Sequence, residues 1–198
     1  QLQRISQLQP NNSTALYYLG IIDYYDGKPE KALATFNRIN EGPEYAQAQE
    51  HMVRIHLELE QYKEALHLID QQLETAAPLA QRERLFLLKA QVLEKQGHTG
   101  NAYRLLTGLL EHNPDSIEIR YSRAMLLEKE LKLSAMEADL RHILQLQPES
   151  TLALNALGYT LTNRTDRHQE AFDLINKAYQ LAPDDAAILD SMGWVLYQ

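Results

Sequence analysis

The chain has 198 residues, of which 44% are hydrophobic and 23% are charged, and this is ordinary for a soluble protein of one large or two small domains. The net charge of −8 argues against a general nucleic-acid binder, because phosphate contacts need a basic surface. The absence of cysteine excludes disulfides and thiolate metal sites, and no apolar run approaches the roughly 18 residues of a membrane span.

Internal repeats organise the sequence from its first residues onward. Prolines follow apolar-periodic segments in QLQP, EHNP, QLQP and QLAP, and Pro148 lies 34 residues after Pro114 and 35 residues before Pro183. This period is typical of a repeated helix hairpin, in which small residues let two helices approach closely and proline ends the second helix. Small residues recur at one position of the earlier helix in most units: Gly20, Ala90, Ala124, Gly158 and Gly193.

The period predicts where each unit begins and ends, and about 12 helices follow from it. Turns such as YDGKPE and KQGHTG are expected between the two helices of a unit. One unit is longer than the others, and the excess is assigned to a loop near TAAPLAQ. Because each repeat buries its apolar face on the next, we expect a single array that is a fragment of a longer protein. The predicted array has half a unit at 1–12, complete units at 13–45, 46–82, 83–116, 117–150 and 151–185, and half a unit at 186–198.

This spacing resembles the tetratricopeptide repeat (TPR), and the resemblance covers the entire chain. The unit at 117–150 matches the TPR motif worst, because Arg120 and Arg123 stand at apolar positions and Met136 replaces a small residue. The resemblance implies an all-α TPR helix-turn-helix solenoid, coiled as a right-handed superhelix whose concave side is lined by the first helix of each unit. The unit at 151–185 matches best, through Leu154, Leu157, Gly158, Leu161, Ala171, Ile175, Ala178 and Pro183.

No pattern in the sequence indicates catalysis or metal binding. His51 and His56 are five residues apart, which does not stack them on one helix face, and no HExxH motif is present. There is no G-x-S-x-G nucleophile elbow and no glycine-rich phosphate loop. The paired carboxylates Asp184 and Asp185 are expected to cap the helix that follows them. We therefore expect a protein that is not an enzyme and that has neither a cofactor nor a metal site.

The inward positions of the first helices are the predicted partner-binding surface. Tyrosine, tryptophan and methionine are enriched in interface cores. In this sequence the inward positions also carry charged residues of both signs. Such a groove suits a partner peptide or helix with apolar anchors and some polar matching. As an alternative, several of these tyrosines pack between neighbouring first helices and contact no ligand. The predicted binding residues are Tyr17, Ile21, Tyr24, Arg54, Tyr121, Met125, Asn155, Tyr159 and Trp194.

The stretch 154–198 is more specific than the general motif. It is similar to the C-terminal repeats of bacterial periplasmic and outer-membrane TPR lipoproteins, such as the adaptor of a carboxyl-terminal processing protease. The resemblance implies a scaffold that binds the protease and holds its cell-wall hydrolase substrates. It also implies a periplasmic location with outer-membrane anchoring through a lipid outside this fragment. A cytoplasmic location is the alternative.

Two other functions compete with the scaffold interpretation. The array would self-associate if the apolar edges at 2–5 and 192–197 paired between chains, because exposed apolar edges are association sites. Alternatively, the repeats would recruit substrate for an enzyme whose catalytic domain lies outside this fragment.

Overall fold

The computed structural model describes residues 12–74 and 79–198, and all regular structure within them is α-helical. This confirms the predicted all-α class. The helices of these residues are α1 (Ser13–Tyr25), α2 (Pro29–Phe36), α3 (Tyr45–Glu58), α4 (Tyr62–Glu74), α5 (Leu79–Lys95), α6 (Thr99–His112), α7 (Ile117–Lys129), α8 (Leu133–Leu146), α9 (Thr151–Arg164), α10 (His168–Leu181) and α11 (Ala186–Tyr197).

The chain divides after His98 into two compact structural units, here called the first unit and the second unit, and each contains more than one of the predicted repeats. In the first unit α1 packs on α2 and α3 packs on α4, whereas in the second unit α7 packs on α8 and α9 packs on α10. Each unit buries its own apolar residues: one cluster of the first unit includes Leu16 and Phe36, and one cluster of the second includes Leu140 and Leu157. In each cluster, buried residues from both helices of a hairpin lie together, so the two helices share an apolar contact.

Four hairpin turns share one backbone conformation, the left-handed region. In the turn after α1, the N–H of Lys28 donates to the carbonyl oxygen of Asp23 at 2.9 Å, which is the Schellman ending of a helix. Glycine is favoured in this conformation because it has no Cβ, and the turns predicted at YDGKPE and KQGHTG use it. The residues with positive φ in these four turns are Gly27 (72°), Glu60 (57°), Gly97 (84°) and Leu131 (56°).

Small residues allow the two helices of a hairpin to approach closely. A Cβ added at Gly20 would lie 2.5 Å from Cε1 of Phe36, on α2. A Cβ added at Gly158 would lie 2.5 Å from Cγ1 of Ile175 and 3.0 Å from the carbonyl oxygen of Ala171, both on α10. The glycines of α1 and α9 therefore provide the space that the large side chain of the second helix fills.

A charged cluster joins the two helices of the repeat at 117–150, which matches the TPR motif worst. Asp139 on α8 is 2% exposed, and it accepts hydrogen bonds from two arginines of α7. Arg123 donates to both carboxylate oxygens, at 2.8 Å and 2.7 Å, and Arg120 donates to one at 3.0 Å. Because a buried carboxylate needs such partners, the arginines at apolar motif positions are compensated by the aspartate opposite them.

A second ionic group joins α8 to the start of α10. Glu137 accepts hydrogen bonds from Arg167 at 2.8 Å and from Arg141 at 2.7 Å, and both arginines also bind Glu170. Hydrogen bonds from Arg167, and then from Arg141, lower the pKa of the Glu137 carboxyl to about 2. The carboxylate is therefore more stable in the folded protein than in the unfolded chain.

The helix boundaries differ from the sequence expectation at one place. Helix α5 begins at Leu79, so the last residues of TAAPLAQ belong to a helix rather than to the expected loop. Residues 75–78 and 1–11 lie outside the described residues, and these include most of the predicted half unit at 1–12. The predicted cap of the last helix is confirmed, because the Asp185 side chain accepts from the N–H groups of Ala187 and Ile188.

Substituting alanine for a closely packed glycine and for an unpacked glycine should change the free energy of unfolding in opposite directions. We expect Gly158→Ala to lower the free energy of unfolding by about 1–3 kcal/mol, because its Cβ would press on Ile175 and on the backbone of α10. Gly193→Ala is the matched control on α11. Its Cβ would have no atom within 4 Å, so helix propensity should raise stability by up to about 1 kcal/mol. Urea unfolding measures both, and equal effects of the two substitutions would contradict this packing.

The Glu137 ionic group predicts a pH-dependent contribution to stability. Because its pKa is lowered in the fold, the carboxylate stabilises the protein above the ordinary value of 4.5, and this is lost as the pH falls toward about 2. We expect Glu137→Gln to unfold at lower urea than the parent at pH 7, and the difference to shrink as the pH falls from about 5. Exposed Glu64, on α4, provides the control Glu64→Gln. A difference of the same size at pH 3 and pH 7 would contradict the assignment.

Candidate functional site

Successive first helices contact each other through residues about one repeat apart. In the first unit, α1 contacts α3 and α3 contacts α5; in the second unit, α7 contacts α9 and α9 contacts α11. These contacts place the first helices side by side within each unit. The pairs are Tyr17 with His51 at 3.1 Å, Tyr24 with Glu58 at 2.5 Å, Glu50 with Arg84 at 3.3 Å, Glu128 with Arg164 at 3.7 Å, and Asn163 with Trp194 at 2.9 Å.

Tyr17 belongs to an aromatic cluster between α1 and α3. Its hydroxyl is hydrogen-bonded to Nε2 of His51, and the His51 ring stacks on Phe36 with centroids 5.6 Å apart and planes 10° apart. Burial raises the pKa of the Tyr17 hydroxyl. Burial, and then the charge of Arg54, lowers the pKa of the His51 imidazole, so this ring favours its neutral form. Tyr17 therefore contacts the neighbouring first helix through both its hydroxyl and its ring.

Tyr24 and Ile21 also contact their neighbours. The Tyr24 hydroxyl donates to Oε1 of Glu58, and this hydrogen bond, followed by burial, raises the pKa of the Tyr24 hydroxyl. Both Ile21 and Tyr24 are partly buried against the apolar cluster that contains Phe36. Of the three binding residues predicted on α1, two therefore use their hydroxyls within the fold.

A cleft of about 570 Å³ lies between α3, α4 and α5 in the first unit. Its apolar part is formed by Leu57 and Leu88, while the exposed guanidinium of Arg54 and the ammonium of Lys95 stand at its border. No hydrogen bond or ion pair joins these two cations to another described residue, so both are available to a ligand. Leu88 and Lys95 were not among the predicted residues. The remaining lining residues are Glu58, Glu60, Tyr62 and Gln91.

The predicted residues of the second unit fall into two groups. Tyr121 and Met125 are partly buried against the apolar cluster that contains Leu140 and Leu157, and burial raises the pKa of the Tyr121 hydroxyl. Asn155 is half-buried, and its Oδ1 is enclosed without a hydrogen-bond partner. Tyr159 and Trp194 are 45% and 38% exposed, and they line one cleft of about 520 Å³ between α9 and α11. The structure thus brings Tyr159 and Trp194 together at an accessible surface.

In residues 12–74 and 79–198, no three histidine, aspartate or glutamate side chains come together in a way that would hold a metal ion. Among the helices that the structure describes, none is both long and apolar enough to cross a membrane.

Comparison with known proteins agrees with this repeat architecture. No family model matches the chain. The TPR repeat-containing protein PA4667 of Pseudomonas aeruginosa is 36% identical over 168 residues, which are 85% of this chain and 28% of the relative. The chain therefore spans just over a quarter of that relative's length.

Solved structures show the same fold at low sequence identity. A tetratricopeptide repeat protein from Parabacteroides merdae has a TM-score of 0.74 and 19% identity, and the match covers 98% of this chain and 75% of that one. YrrB, a TPR protein with an unusual peptide-binding site, has a TM-score of 0.57 and 20% identity, and the match covers 97% of both chains. With its 34-residue period, its helix hairpins and its 36%-identical relative, the chain belongs to the tetratricopeptide repeat family.

Proposed function

We propose that this chain is a non-catalytic scaffold that binds a protein or peptide partner in the clefts between successive first helices. The observation that carries the proposal is the concentration of accessible aromatic side chains and unpaired charges in those clefts. Arg54 and Lys95 border the cleft of the first unit, and Tyr159 and Trp194 line that of the second. Binding sites combine such apolar walls with a few polar groups that fix orientation.

The clefts differ from the contacts that hold the first helices together. The hydroxyls of Tyr17 and Tyr24 are hydrogen-bonded within the fold, whereas no hydrogen bond from another described residue engages the hydroxyl of Tyr159 or the guanidinium of Arg54. A ligand therefore gains more binding free energy from Tyr159 and Arg54, because it does not have to break an existing hydrogen bond to reach them.

We further propose that this scaffold delivers substrates to a protease. We infer that the partner is a carboxyl-terminal processing protease of the bacterial envelope, or a cell-wall hydrolase that it cleaves. The similarity of residues 154–198 to periplasmic adaptor lipoproteins supports this inference, as does a bacterial TPR relative. Binding two proteins to one scaffold makes their encounter intramolecular and raises their effective concentration. In this proposal the full-length protein is periplasmic and anchored to the outer membrane by a lipid.

Self-association is a second candidate, favoured by one observation. Leu189, Leu196 and Tyr197 of α11 are exposed, whereas Leu154 and Leu161, at the positions of α9 equivalent to Leu189 and Leu196, are both 2% exposed. Light scattering separates the candidates: a monomer at high concentration supports the scaffold, and a concentration-dependent dimer supports self-association.

Affinity capture tests the scaffold proposal. The parent chain and the variant Arg54→Glu, Tyr159→Ala serve as paired baits for a bacterial envelope extract. We expect the parent to retain a carboxyl-terminal processing protease or one of its hydrolase substrates, and the variant to retain at least about tenfold less. Tyr121 is unsuitable for this test because it packs against the core.

The control substitutes a tyrosine of comparable exposure outside the clefts. Tyr179→Ala lies on α10, a second helix, and it should leave capture unchanged. Circular dichroism of all three proteins checks that the variants keep the helical content of the parent. Equal capture by the parent and by the Arg54→Glu, Tyr159→Ala variant would remove these clefts from the explanation.

A further inference from the structure

The cleft between α9 and α11 differs from the cleft of the first unit in the charge of its lining residues. It offers one charged side chain, Asp190, in a lining that is otherwise neutral and includes two aromatic rings. The cleft of the first unit differs, because its lining contains both cations and carboxylates. The lining residues of the α9–α11 cleft are Tyr159, Asn163, Leu189, Asp190, Gly193 and Trp194.

The indole of Trp194 is held in a fixed orientation. Its Nε1 donates to Oδ1 of Asn163 at 2.9 Å, and Nδ2 of Asn163 donates to the carbonyl oxygen of Tyr159 at 2.8 Å. The ring also stacks on Tyr197, with centroids 5.7 Å apart and planes 25° apart. Because both ends of the Asn163 amide are engaged, the aromatic surface of the cleft is organised before any ligand binds.

The Asp190 carboxylate has no partner among the residues that the structure describes. It is exposed, and no hydrogen bond or ion pair joins it to another described residue. It lies four residues before Trp194, which places both side chains on one face of α11. The arginine at the end of α9, Arg164, pairs with Glu128 of α7 and is not part of the cleft lining. The negative charge of the cleft is therefore not neutralised from within its lining.

We propose that the α9–α11 cleft recognises a peptide in which an arginine or lysine stands beside an apolar residue. The cation lies between the Asp190 carboxylate and the faces of Tyr159 and Trp194, where a charge pair and cation–π attraction act together. The apolar neighbour packs on Leu189. The net charge of −8 favours the approach of such a peptide. This inference rests on the proposed scaffold function and names the chemistry of its ligand in the second unit.

The chain contains a single tryptophan, so its fluorescence reports on this cleft alone. The probe is the peptide acetyl-Gly-Leu-Arg-Leu-Gly-amide, and its matched control replaces arginine with citrulline, which has nearly the same shape but no charge. We expect the arginine peptide to change Trp194 emission saturably and to bind about fivefold or more tighter than the citrulline peptide. Equal binding of the two peptides, or no saturable change with either, would overturn the inference.

Two variants assign the charge recognition to one residue. Asp190→Asn should abolish the difference between the arginine and citrulline peptides, whereas Asp184→Asn, in the loop before α11 and outside the cleft lining, should preserve it. A difference that survives Asp190→Asn would overturn the role of this carboxylate. The scaffold proposal is decided separately by the single variant Arg54→Glu, in the first unit: capture that this variant weakens would uphold the scaffold even if neither peptide bound at Trp194.

Discussion

The close approach of two helices at a small residue is the contact on which the rest of the structure depends. Gly20 faces Phe36 and Gly158 faces Ile175, and in each pair a single added carbon would overlap the opposing side chain. Interiors packed at this density do not absorb such an atom without moving a helix. The contact therefore sets the separation of the two helices in a hairpin, and it leaves the other face of the first helix to meet the next repeat.

That second face determines which inward side chains are engaged within the fold and which remain exposed. Where first helices lie side by side, polar residues about one repeat apart meet, and Tyr24 with Glu58 is an example. A side chain used in this way contributes to the fold, whereas Arg54 and Asp190, which have no hydrogen-bond or ion-pair partner among the described residues, line the clefts. A repeat protein can therefore keep its architecture while its ligand changes, because the helix contacts and the cleft side chains occupy different positions.

The sequence predicted the helix hairpins because proline, small residues and apolar periodicity are local signals with a fixed period. It could not show which inward residues contact a neighbouring helix and which remain exposed. The partner of Tyr17 is His51, 34 residues away, and this pairing depends on how the two helices are rotated about their axes. Arg120 and Arg123 were identified as mismatches to the motif for a related reason: the compensating Asp139 lies on the opposing helix. The left-handed turn at Leu131 carries no sequence signal, because glycine usually occupies that conformation.

Nuclear Overhauser spectroscopy tests most directly whether first helices meet through residues one repeat apart. In protein labelled at tyrosine and histidine, the ring protons of Tyr17 and His51 should give a cross-peak, because the ring centroids are 5.7 Å apart. The indole N–H of Trp194 should likewise give a cross-peak to the side chain of Asn163, 31 residues earlier in the chain. Assigned spectra of the folded protein that lack both cross-peaks would contradict the account.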